Sequence, residues 1–453
     1  MQQNVKIFDI IELEIKRMGI NGEGIGYYQK LAIFVEGALP GEKILAQITE
    51  VFENRAIAKV LKILVQSENR TTPFCPVFDE CGGCQTQHFN YSAMLKQKKD
   101  ILIKSFDRYY KNYDKQIFAE PIGMEDPMHY RNKASLPFKK IDGKNQFGMF
   151  ARNSNRFIAI EDCGVQHQKI NEVFKTITEL MDRYQLDAYD FESKTGFISH
   201  GVVRISENLD EIQVSFIVPE RVVEIGYIVD DLIQLHPEIV SVFEIVNNDT
   251  KKDTFYTNES YLLFGKRTIS EALDGNNYML TPDTFFQLNT TQADKFYKKM
   301  VELADLKPNE IAIDAFAGVA PVSHYVYKYA KKVYAIEINK ETSDTAKEAL
   351  NFNNVTNVEV INSSFKQSTN LLMNENIDVI FFDPPRLGLG FDGIDMVKKL
   401  FPTRIVYGSC NPSTLAKDIN ELKDLYDIKT IVPVDMFPFT SLVESITLLE
   451  KKN

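Results

Sequence analysis

No stretch of this 453-residue chain approaches the ~20 consecutive apolar residues that a membrane-spanning helix requires. The N-terminus has neither a basic start followed by an apolar core nor a small-residue cleavage site, so a secreted protein is not expected. Internal repeats and low-complexity tracts are also missing. We therefore expect a cytoplasmic globular protein, without a membrane partner, whose few cysteines do not pair as disulfides.

The chain also lacks positive charge overall, because its formal net charge is −11. Phosphate binding rewards Lys and Arg, so this balance argues against a nucleic-acid partner for the molecule as a whole. Residues 91–160 are the exception, with 14 Lys and Arg against 7 Asp and Glu. This segment predicts either a local RNA-binding face or a lysine-rich solvated helix around Lys96, Lys98, Lys99 and Lys104, and the segment alone does not separate the two.

Cysteine is scarce, and its five copies fall into two groups. Four lie in the first half of the chain, namely Cys75, Cys81, Cys84 and Cys163. Four thiolates can close a zinc site or an iron–sulfur cluster, and one tight group plus a remote fourth cysteine suits the cluster as well as zinc. Four unliganded core cysteines are the remaining alternative. The fifth, Cys410, stands alone in the sequence Tyr-Gly-Ser-Cys-Asn-Pro-Ser.

The hydrophobic patterning divides the chain into three predicted domains. Residues 1–65 contain five short strands with glycine punctuation, which is typical of a small β-barrel, and residues 66–73 form a polar linker. Residues 66–270 form a mostly β domain that includes the cysteine group and a helix over about 91–110, which we expect to pack on the catalytic domain. Residues 271–453 alternate helices with near-continuous apolar strands, which indicates a mostly parallel, doubly wound α/β sheet.

Acidic residues end the first two strands of this predicted sheet. The first strand runs into Asp314-Ala-Phe-Ala-Gly318, and the second ends in Glu337. An acidic residue at that point is placed to accept hydrogen bonds from a ribose, although a solvated strand end is the alternative. No Gly-x-Gly-x-x-Gly lies between these two strands, so the pattern there disfavours a dinucleotide and favours S-adenosylmethionine.

Two further strands end in residues that suit chemistry. Asp383-Pro-Pro-Arg386 follows one strand, and its prolines hold the backbone extended where such sheets bind ligands. Cys410 follows another, at the same carboxyl edge, where a thiolate can add to an electron-poor ring carbon. A lone cysteine is more often a small buried hydrophobe. The other motifs at this edge favour the nucleophile.

The motifs together resemble those of the bacterial uracil-5-methyltransferases that act on 23S ribosomal RNA. The resemblance covers nearly the whole chain and rests on Phe285-Phe-Gln-Leu-Asn289, the Asp314–Gly318 loop, Asp383–Arg386, Ser409-Cys-Asn-Pro412 and Asp435-Met-Phe-Pro-x-Thr440 with Glu444. It implies that the barrel is a TRAM domain and that the four cysteines Cys75, Cys81, Cys84 and Cys163 hold a [4Fe-4S] cluster. In this family the related tRNA enzymes lack both features.

The resemblance also implies a role for each site residue. Cys410 adds to C6 of a flipped-out uridine, C5 receives a methyl group from S-adenosylmethionine, and Glu444 then removes the C5 proton. The residues Gln287, Phe316, Glu337 and Asp383 match the positions that hold the methyl donor or the uracil beside it. The barrel, the basic stretch, Arg131 and Lys133 are expected to grip folded RNA, with the protein a monomer.

The donor loop departs from the family pattern, because Ala317 stands where cysteine is usual and Ala320, followed by Pro321, stands where a second glycine is usual. A methyl group at Ala320 is expected to crowd the methyl donor. This departure leaves a second hypothesis open, in which the chain is an RNA-binding paralogue with weakened catalysis. Within the enzyme class, transfer RNA is the alternative substrate.

Overall fold

The structure, a computed structural model, describes residues 5–111, 113–248 and 255–452. The chain divides into two compact units. The first comprises Met1–Phe78, Gly83–Glu125 and Phe381–Asn453, and the second comprises Asp79–Gly82 and Asp126–Ile380. Within the described ranges, no helix has the length and apolar character needed to cross a bilayer.

The first unit begins with a closed barrel, as the glycine-punctuated strands predict. Its strands are β1 (Ile10–Met18), β2 (Gly24–Tyr28), β3 (Leu31–Glu36), β4 (Lys43–Val51) and β5 (Arg55–Val65), in the order β1-β2-β3-β5-β4. The alternating strand residues fill a core that includes Leu13, Ile33 and Ile44. A Cβ at Gly26 would lie 2.6 Å from the carbonyl oxygen of Glu14, so glycine permits the close approach of β1 and β2.

The segment after the barrel is more ordered than the predicted polar linker. Glu42, at the barrel, is fully buried, and its carboxylate accepts hydrogen bonds from the Arg70 guanidinium at 2.6 and 2.9 Å. The same carboxylate accepts the backbone N–H of Ser67, and Arg70 also donates to the Gly37 carbonyl. The linker is therefore fastened to the barrel by a buried ion pair that joins residues far apart in sequence.

Helix α1 (Tyr91–Tyr109) has the predicted bounds. Asn90 caps its N-terminus by accepting the Ala93 N–H at 3.2 Å, as polar residues at this position commonly do. Its buried face carries Met94, Lys98, Ile101, Leu102, Ser105 and Phe106. A short 3₁₀ turn, Lys115–Ile117, follows the helix.

The second unit contains a sheet that is mostly antiparallel, with two helices against it. Its strands, in the spatial order β12-β11-β10-β9-β6-β7-β8, are β6 (Lys133–Ile141), β7 (Lys144–Phe150), β8 (Phe157–Ala159), β9 (His200–Ser206), β10 (Glu211–Val218), β11 (Ile239–Val246) and β12 (Ser260–Gly265). The helices are α2 (Gln168–Arg183) and α3 (Ile225–Leu235), the second shorter than the predicted Glu220–Leu235. A hairpin of β13 (Ile269–Leu273) and β14 (Asn276–Leu280) follows.

The same unit then alternates helices with parallel strands. The elements are α4 (Thr290–Ala304), β15 (Ile311–Ala315), α5 (Pro321–Val326), β16 (Lys332–Glu337), α6 (Lys340–Phe352), β17 (Val358–Asn362) and α7 (Phe365–Leu372). β16 pairs in parallel with both β15 and β17. This alternation confirms the α/β class that the apolar strands predict.

Strand β18 (Val379–Phe382) contains the boundary between the two units. The first unit then contributes α8 (Gly390–Leu400), β19 (Arg404–Ser409), α9 (Pro412–Leu422), β20 (Tyr426–Val434) and β21 (Glu444–Lys451). β21 lies between β19 and β20 and is antiparallel to both. The sheet strands are therefore not all parallel, and this antiparallel strand brings its first residue, Glu444, to the edge where β19 ends.

Candidate active site

Cys410 lies between a strand and a helix. It follows the last residue of β19, and Asn411 caps α9 by accepting the Ser413 N–H at 3.0 Å. Pro412, at the first helical position, needs no N–H partner there. A helix N-terminus stabilises negative charge beside it, so the start of α9 acts against the groups that disfavour the thiolate form of Cys410.

Glu444 lies opposite Cys410 across two neighbouring strands. Ser409 of β19 pairs with Ser445 of β21 in the antiparallel register. Continuing this register by one residue places Cys410 opposite Glu444, and side chains at such paired positions share one face with Cβ atoms about 4.5–5.5 Å apart. Both side chains are partly exposed, so the sulfur and the carboxylate can reach a ligand at this edge.

The Asp383–Arg386 segment is fixed to the same helix that follows the nucleophile. The Arg386 carbonyl accepts hydrogen bonds from the Asn411 side chain at 3.1 Å and from the Thr414 hydroxyl at 3.3 Å. Further along, the Asp418 carboxylate of α9 accepts the Leu389 N–H at 2.8 Å. These contacts fix the position of the segment that carries Asp383 and Arg386 relative to Cys410.

Three acidic groups meet at this edge, and burial disfavours their charged forms. Burial, Glu444 and Asp383 raise the pKa of the Cys410 thiol to about 11, against the opposing charge of Arg386. Burial and the neighbouring Asp383 raise the pKa of Glu444 to about 8, which Arg386 and Lys98 oppose. Burial alone raises the pKa of Asp383 to about 6. Carboxyls with such raised pKa values are suited to accept or hold protons near neutral pH.

In the second unit, Asp314 and Glu337 organise the loop after β15. The Asp314 carboxylate, which is buried, accepts the Ser323 N–H at 2.9 Å and the Ser323 hydroxyl at 2.6 Å, so it fastens the end of β15 to α5. Glu337 accepts the Gly318 N–H at 3.0 Å and the Asn339 N–H at 2.7 Å. A Cβ at Gly318 would meet nothing within 4 Å, so the loop surface is open beside the Glu337 carboxylate.

The expected crowding by Ala320 is not what the structure shows. Ala320 is fully buried and packs in an apolar cluster with Ala346, Leu350 and Val355, so its methyl group fills the core behind the loop. It adopts a left-handed φ of 63°, where glycine is the less strained residue. Phe316, also left-handed, packs edge-on against Phe365 with ring centroids 4.5 Å apart.

Gln287 and the Arg131–Lys133 segment are tied to one another through the backbone. The Asn132 side chain donates to the Gln287 carbonyl at 3.0 Å, and the Lys133 ammonium donates to the Pro282 carbonyl at 3.1 Å. Burial and the nearby Arg204 lower the pKa of Lys133 to about 6. Lys133 thus fastens the segment before Gln287, which differs from its expected role as a phosphate contact.

The basic segment contains many cations with partners inside the protein. Carboxylates accept hydrogen bonds from Lys98, Lys99, Lys104, Lys140 and Arg156. The most buried of these cations is Lys98, whose side chain is 2% exposed and whose ammonium lies 2.5 Å from Asp435. Neither interpretation of the α1 lysines, an RNA-binding face or a solvated helix, describes Lys98.

The four N-terminal cysteines have the donor set that an iron–sulfur cluster requires, four thiols. Cys75 lies in a turn in which the Phe78 N–H donates to the Cys75 carbonyl, and Cys163 lies in one in which the Gln166 N–H donates to its carbonyl. Within residues 5–111, 113–248 and 255–452, no group of three or more His, Cys, Asp or Glu side chains is placed to hold a metal ion. The cluster therefore stays a prediction.

Comparisons with known proteins decide the family. The family model described as tRNA (Uracil-5-)-methyltransferase matches residues 90–452, and a TRAM domain model matches residues 4–61. The chain belongs to this uracil-5-methyltransferase family. It is 36% identical over 442 residues to an uncharacterized RNA methyltransferase of Halalkalibacterium halodurans, covering 96% of this chain and 95% of that protein. It is 35% identical to another from Enterococcus faecalis, with both chains fully covered.

A solved structure shares the fold of this uracil-5-methyltransferase family member. It is the Pyrococcus abyssi tRNA (uracil-54, C5)-methyltransferase in complex with S-adenosyl-L-homocysteine, with a TM-score of 0.77 and 24% identity. The match covers 97% of this chain and 100% of that one. This likeness shows the fold, and the two family models make the chain an RNA methyltransferase with a TRAM domain, as the motifs predict.

Cys410, Glu444 and Asp383 meet at one edge of the sheet, which we call the catalytic edge. The sequence pattern did not reveal the roles of two residues near this edge. The Asp383–Arg386 motif gives Arg386 no role of its own, although its charge opposes the raised pKa values of Cys410 and Glu444. Lys98 was counted among surface cations. The signal that could have found Lys98 was its place among Met94, Ile101 and Leu102 on the apolar face of α1.

Proposed function

We propose that this enzyme methylates C5 of a uridine in RNA through a covalent bond between Cys410 and C6 of the uracil. The observation that carries the proposal is the register that places Cys410 opposite Glu444 on β19 and β21. Uracil C5 is a weak nucleophile until something adds at C6, and its later proton loss needs a positioned base. A thiol and a carboxylate that face one ligand meet both needs.

The chain's own residues account for the covalent steps. The Cys410 proton passes to solvent, which reaches the partly exposed sulfur, and the thiolate forms a bond to C6 while the ring electrons move onto C5 and O4. After C5 carries its methyl group, Glu444 accepts the C5 proton, and the electron pair restores the C5–C6 double bond. The C6–sulfur bond breaks, and Cys410 leaves as a thiolate.

The open loop at Gly318 and the Glu337 carboxylate fit the methyl donor. A carboxylate has room for about four hydrogen bonds, so Glu337 can accept from ribose hydroxyls in addition to its two backbone donors. Ile338, which is 73% exposed, adds an apolar surface next to it for an adenine ring. When bound, S-adenosylmethionine supplies an electrophilic methyl group. Phe316 and Gln287 are proposed to contact the donor or the uracil.

Asp383 is proposed to recognise the uracil. It belongs to the segment whose Arg386 carbonyl is fixed by Asn411, the residue after the nucleophile. Above pH 6 its carboxylate can accept the uracil N3–H, a donor that cytosine lacks at this position. The target base must leave its stack to reach this edge, as in other enzymes that act on bases.

We propose 23S ribosomal RNA as the substrate, with one or more of its uridines modified, by a cytoplasmic monomeric enzyme. The resemblance of the motifs supports this choice. Transfer RNA is the second candidate, because the Pyrococcus abyssi enzyme that shares the fold over nearly the whole chain acts on tRNA. A non-catalytic RNA-binding paralogue loses its main support, since the Ala320 methyl group packs in the core.

Labelled S-adenosylmethionine, offered with unmodified ribosomal RNA or tRNA, tests the proposal. We expect label at C5 of uridine in ribosomal RNA with the wild type and none with the Cys410→Ala variant. Transfer to tRNA alone reverses the substrate choice. Turnover by Cys410→Ala removes the covalent mechanism.

We also propose the [4Fe-4S] cluster on Cys75, Cys81, Cys84 and Cys163, supported by the donor set and the resemblance alone. It performs no electron transfer, because nothing in methyl transfer moves electrons. Protein purified without oxygen is expected to be brown, with about four irons per chain, the content of a [4Fe-4S] cluster. Colourless protein with one zinc per chain contradicts the cluster.

A further inference from the structure

The segment that leads into Glu444 is held by helix α1. This segment, residues 435–443, connects β20 to β21, and we name it the base loop. The Lys98 ammonium donates to the Asp435 carboxylate at 2.5 Å and to the Phe437 carbonyl at 3.1 Å. One buried cation thus fixes the base loop at two points, through a side chain and through the backbone.

A second residue of α1 supports the same carboxylate. Tyr91 lies seven positions before Lys98 and therefore on the same helix face. Its hydroxyl accepts the Met124 N–H at 2.9 Å, and burial together with the nearby Asp435 raises the pKa of Tyr91. Asp435 is 1% exposed in its side chain, so its charge is held by α1 and not by water.

The rest of the base loop is anchored as well. The Phe439 carbonyl accepts the backbone N–H groups of Gln85 at 2.9 Å and Thr86 at 3.1 Å, and Phe439 itself adopts a left-handed φ of 63°. The Thr440 hydroxyl donates to the Phe437 carbonyl that Lys98 also contacts. A loop anchored this closely delivers Glu444 to a defined position.

A buried ion pair is costly to form, because two charges must leave water. A hydrophobic pair of similar size would hold α1 against the base loop without that cost. What an apolar pair cannot supply is a positive charge that acts on Glu444. In the described part of the chain, charges that act on Glu444 come from Asp383 and Arg386, in the segment after β18, and from Lys98 on α1. Asp383 opposes the ionisation of Glu444, whereas Arg386 and Lys98 favour it, and Lys98 is itself paired with Asp435. The Cys410 thiol lies opposite.

We propose that Lys98 is a positioning residue for proton abstraction: it fixes the base loop through Asp435 and Phe437 and supplies a buried positive charge that favours the ionised form of Glu444. This inference rests on the proposed function, in which Glu444 takes the C5 proton. Lys98 does not touch the uracil. It acts on the last chemical step, after methylation and before Cys410 leaves, and its loss is expected to slow that step more than the earlier ones.

The test follows the methylated protein–RNA adduct. Wild type, Lys98→Met and Lys98→Arg are mixed with RNA and methyl-labelled S-adenosylmethionine and quenched in detergent at intervals, from pH 6 to pH 9. We expect the Lys98→Met adduct to accumulate, with release slowed about tenfold at pH 7, since a positioned base contributes about 10²–10⁴-fold. The acidic limb of the pH profile of the release rate is expected to lie about one pH unit higher in Lys98→Met than in wild type. The reason is that the variant lacks the positive charge that attracts the Glu444 carboxylate.

Two further variants separate positioning from mere stability. Lys98→Arg keeps the charge and is expected to restore the wild-type pH limb. Lys99→Met removes a neighbouring cation that pairs with the exposed Glu120, and its adduct lifetime and pH limb are expected to match the wild type. Should Lys98→Met unfold, the double variant Lys98→Met/Asp435→Asn replaces it in the test. This variant removes both charges of the ion pair, so no unpaired charge stays buried. It is expected to show the same adduct and a pH shift in the same direction, but a smaller one, because the negative charge of Asp435 is removed as well.

Release at the wild-type rate and with the wild-type pH limb, in Lys98→Met or in the double variant, overturns the inference and leaves the proposed function intact. Slow release in Lys98→Met with an unchanged pH limb also overturns it, since a purely structural role then suffices. A wild-type enzyme that methylates RNA without any Cys410-dependent adduct overturns the proposed function, and the inference falls with it.

Discussion

At the scale of single residues, the catalytic edge places groups with raised pKa values next to one another at a cost in stability. Burial raises the pKa values of the Glu444 and Asp383 carboxyls, and the Cys410 thiol lies beside them. Arg386 and Lys98 oppose the shift in the pKa of Glu444. This balance allows the function of Glu444 to be tested through stability as well as rate.

The first prediction concerns Glu444 and pH. Burial and Asp383 raise the pKa of Glu444 from 4.5 to about 8, so the folded protein holds a proton that the unfolded chain releases across that window. The favourable contribution of this proton is complete below pH 4.5 and is lost as pH rises through 8. A Glu444→Gln variant should therefore be more stable than wild type at pH 8.5, by several kcal/mol, since each tenfold change in acidity is worth about 1.4 kcal/mol, and nearly equal to it at pH 4.5.

Denaturant titrations at the two pH values measure this difference. Because glutamine is nearly isosteric with glutamate, packing is conserved and only the charge changes. Equal stability of the two proteins at pH 8.5 would mean that Glu444 is solvated in solution, and the site electrostatics described above would be wrong.

The second prediction concerns Ala320. Replacing it by glycine relieves the left-handed strain, worth about 1–2 kcal/mol. The change also removes a buried methyl group, worth about 0.8 kcal/mol, and makes the unfolded chain more flexible by about 0.4–1 kcal/mol. We expect the stability of Ala320→Gly to lie within about 1 kcal/mol of wild type. The KM for S-adenosylmethionine should not change.

A large decrease in that KM, with stability unchanged, would show that the methyl group does face the donor. The sequence alone could not decide this question, because the direction of the Ala320 Cβ depends on its φ and on the cluster formed by Ala346, Leu350 and Val355.

At the scale of elements, the hydrophobic periodicity of the sequence predicted those helices and strands that pack against elements close to them in the sequence. Helix α1 has the predicted bounds, β19 ends immediately before Cys410 as predicted, and the barrel follows from alternating apolar residues. The antiparallel placement of β21 was not predicted, since the apolar pattern of a buried strand does not encode its direction. The role of Lys98 was missed for a related reason: its partner Asp435 lies 337 residues away.

The third prediction concerns the attachment of residues 66–73 to the barrel. Glu42 is fully buried, and Arg70 together with backbone donors lowers its pKa. Glu42→Gln is expected to cost about 2–3 kcal/mol at neutral pH, because charge-assisted hydrogen bonds are lost and Arg70 loses its counter-charge. The penalty should shrink as pH falls through the lowered pKa, where wild type also loses the charge.

Thermal unfolding of both proteins from pH 7 to pH 3 gives the comparison, with Glu14→Gln as the control. Glu14 also pairs with a cation, Lys16, but at the surface, so its loss should matter little. An equal and small effect of both substitutions would show that the Glu42–Arg70 pair does not fasten the segment.

At the scale of the whole molecule, an acidic protein is proposed to bind RNA. The described structure shows that many cations of the basic segment are already paired, including Lys98, Lys99 and Lys140. Composition could locate the basic segment but could not tell which cations are paired, since pairing depends on the tertiary structure. Recognition by shape and splayed bases, with few phosphate contacts, follows from this pattern.

The fourth prediction is therefore a shallow salt dependence. If all 14 cations of residues 91–160 contacted phosphates, the slope of log K against log salt would be about −10, at about −0.7 for each contact. We expect a slope shallower than about −5. Fluorescence anisotropy of a labelled RNA fragment across potassium chloride concentrations measures it. A slope near −10 would show that the internal ion pairs open in favour of phosphates.

The central claim is that Cys410 and Glu444 act on the two adjacent ring carbons of one uracil. Intact-mass spectrometry of Glu444→Gln after incubation with RNA and S-adenosylmethionine tests it most directly. We predict a species with the mass of protein plus RNA plus one methyl group, stable in detergent and absent from the Cys410→Ala/Glu444→Gln double variant. Normal turnover by Glu444→Gln, or an adduct that forms without Cys410, would contradict the account.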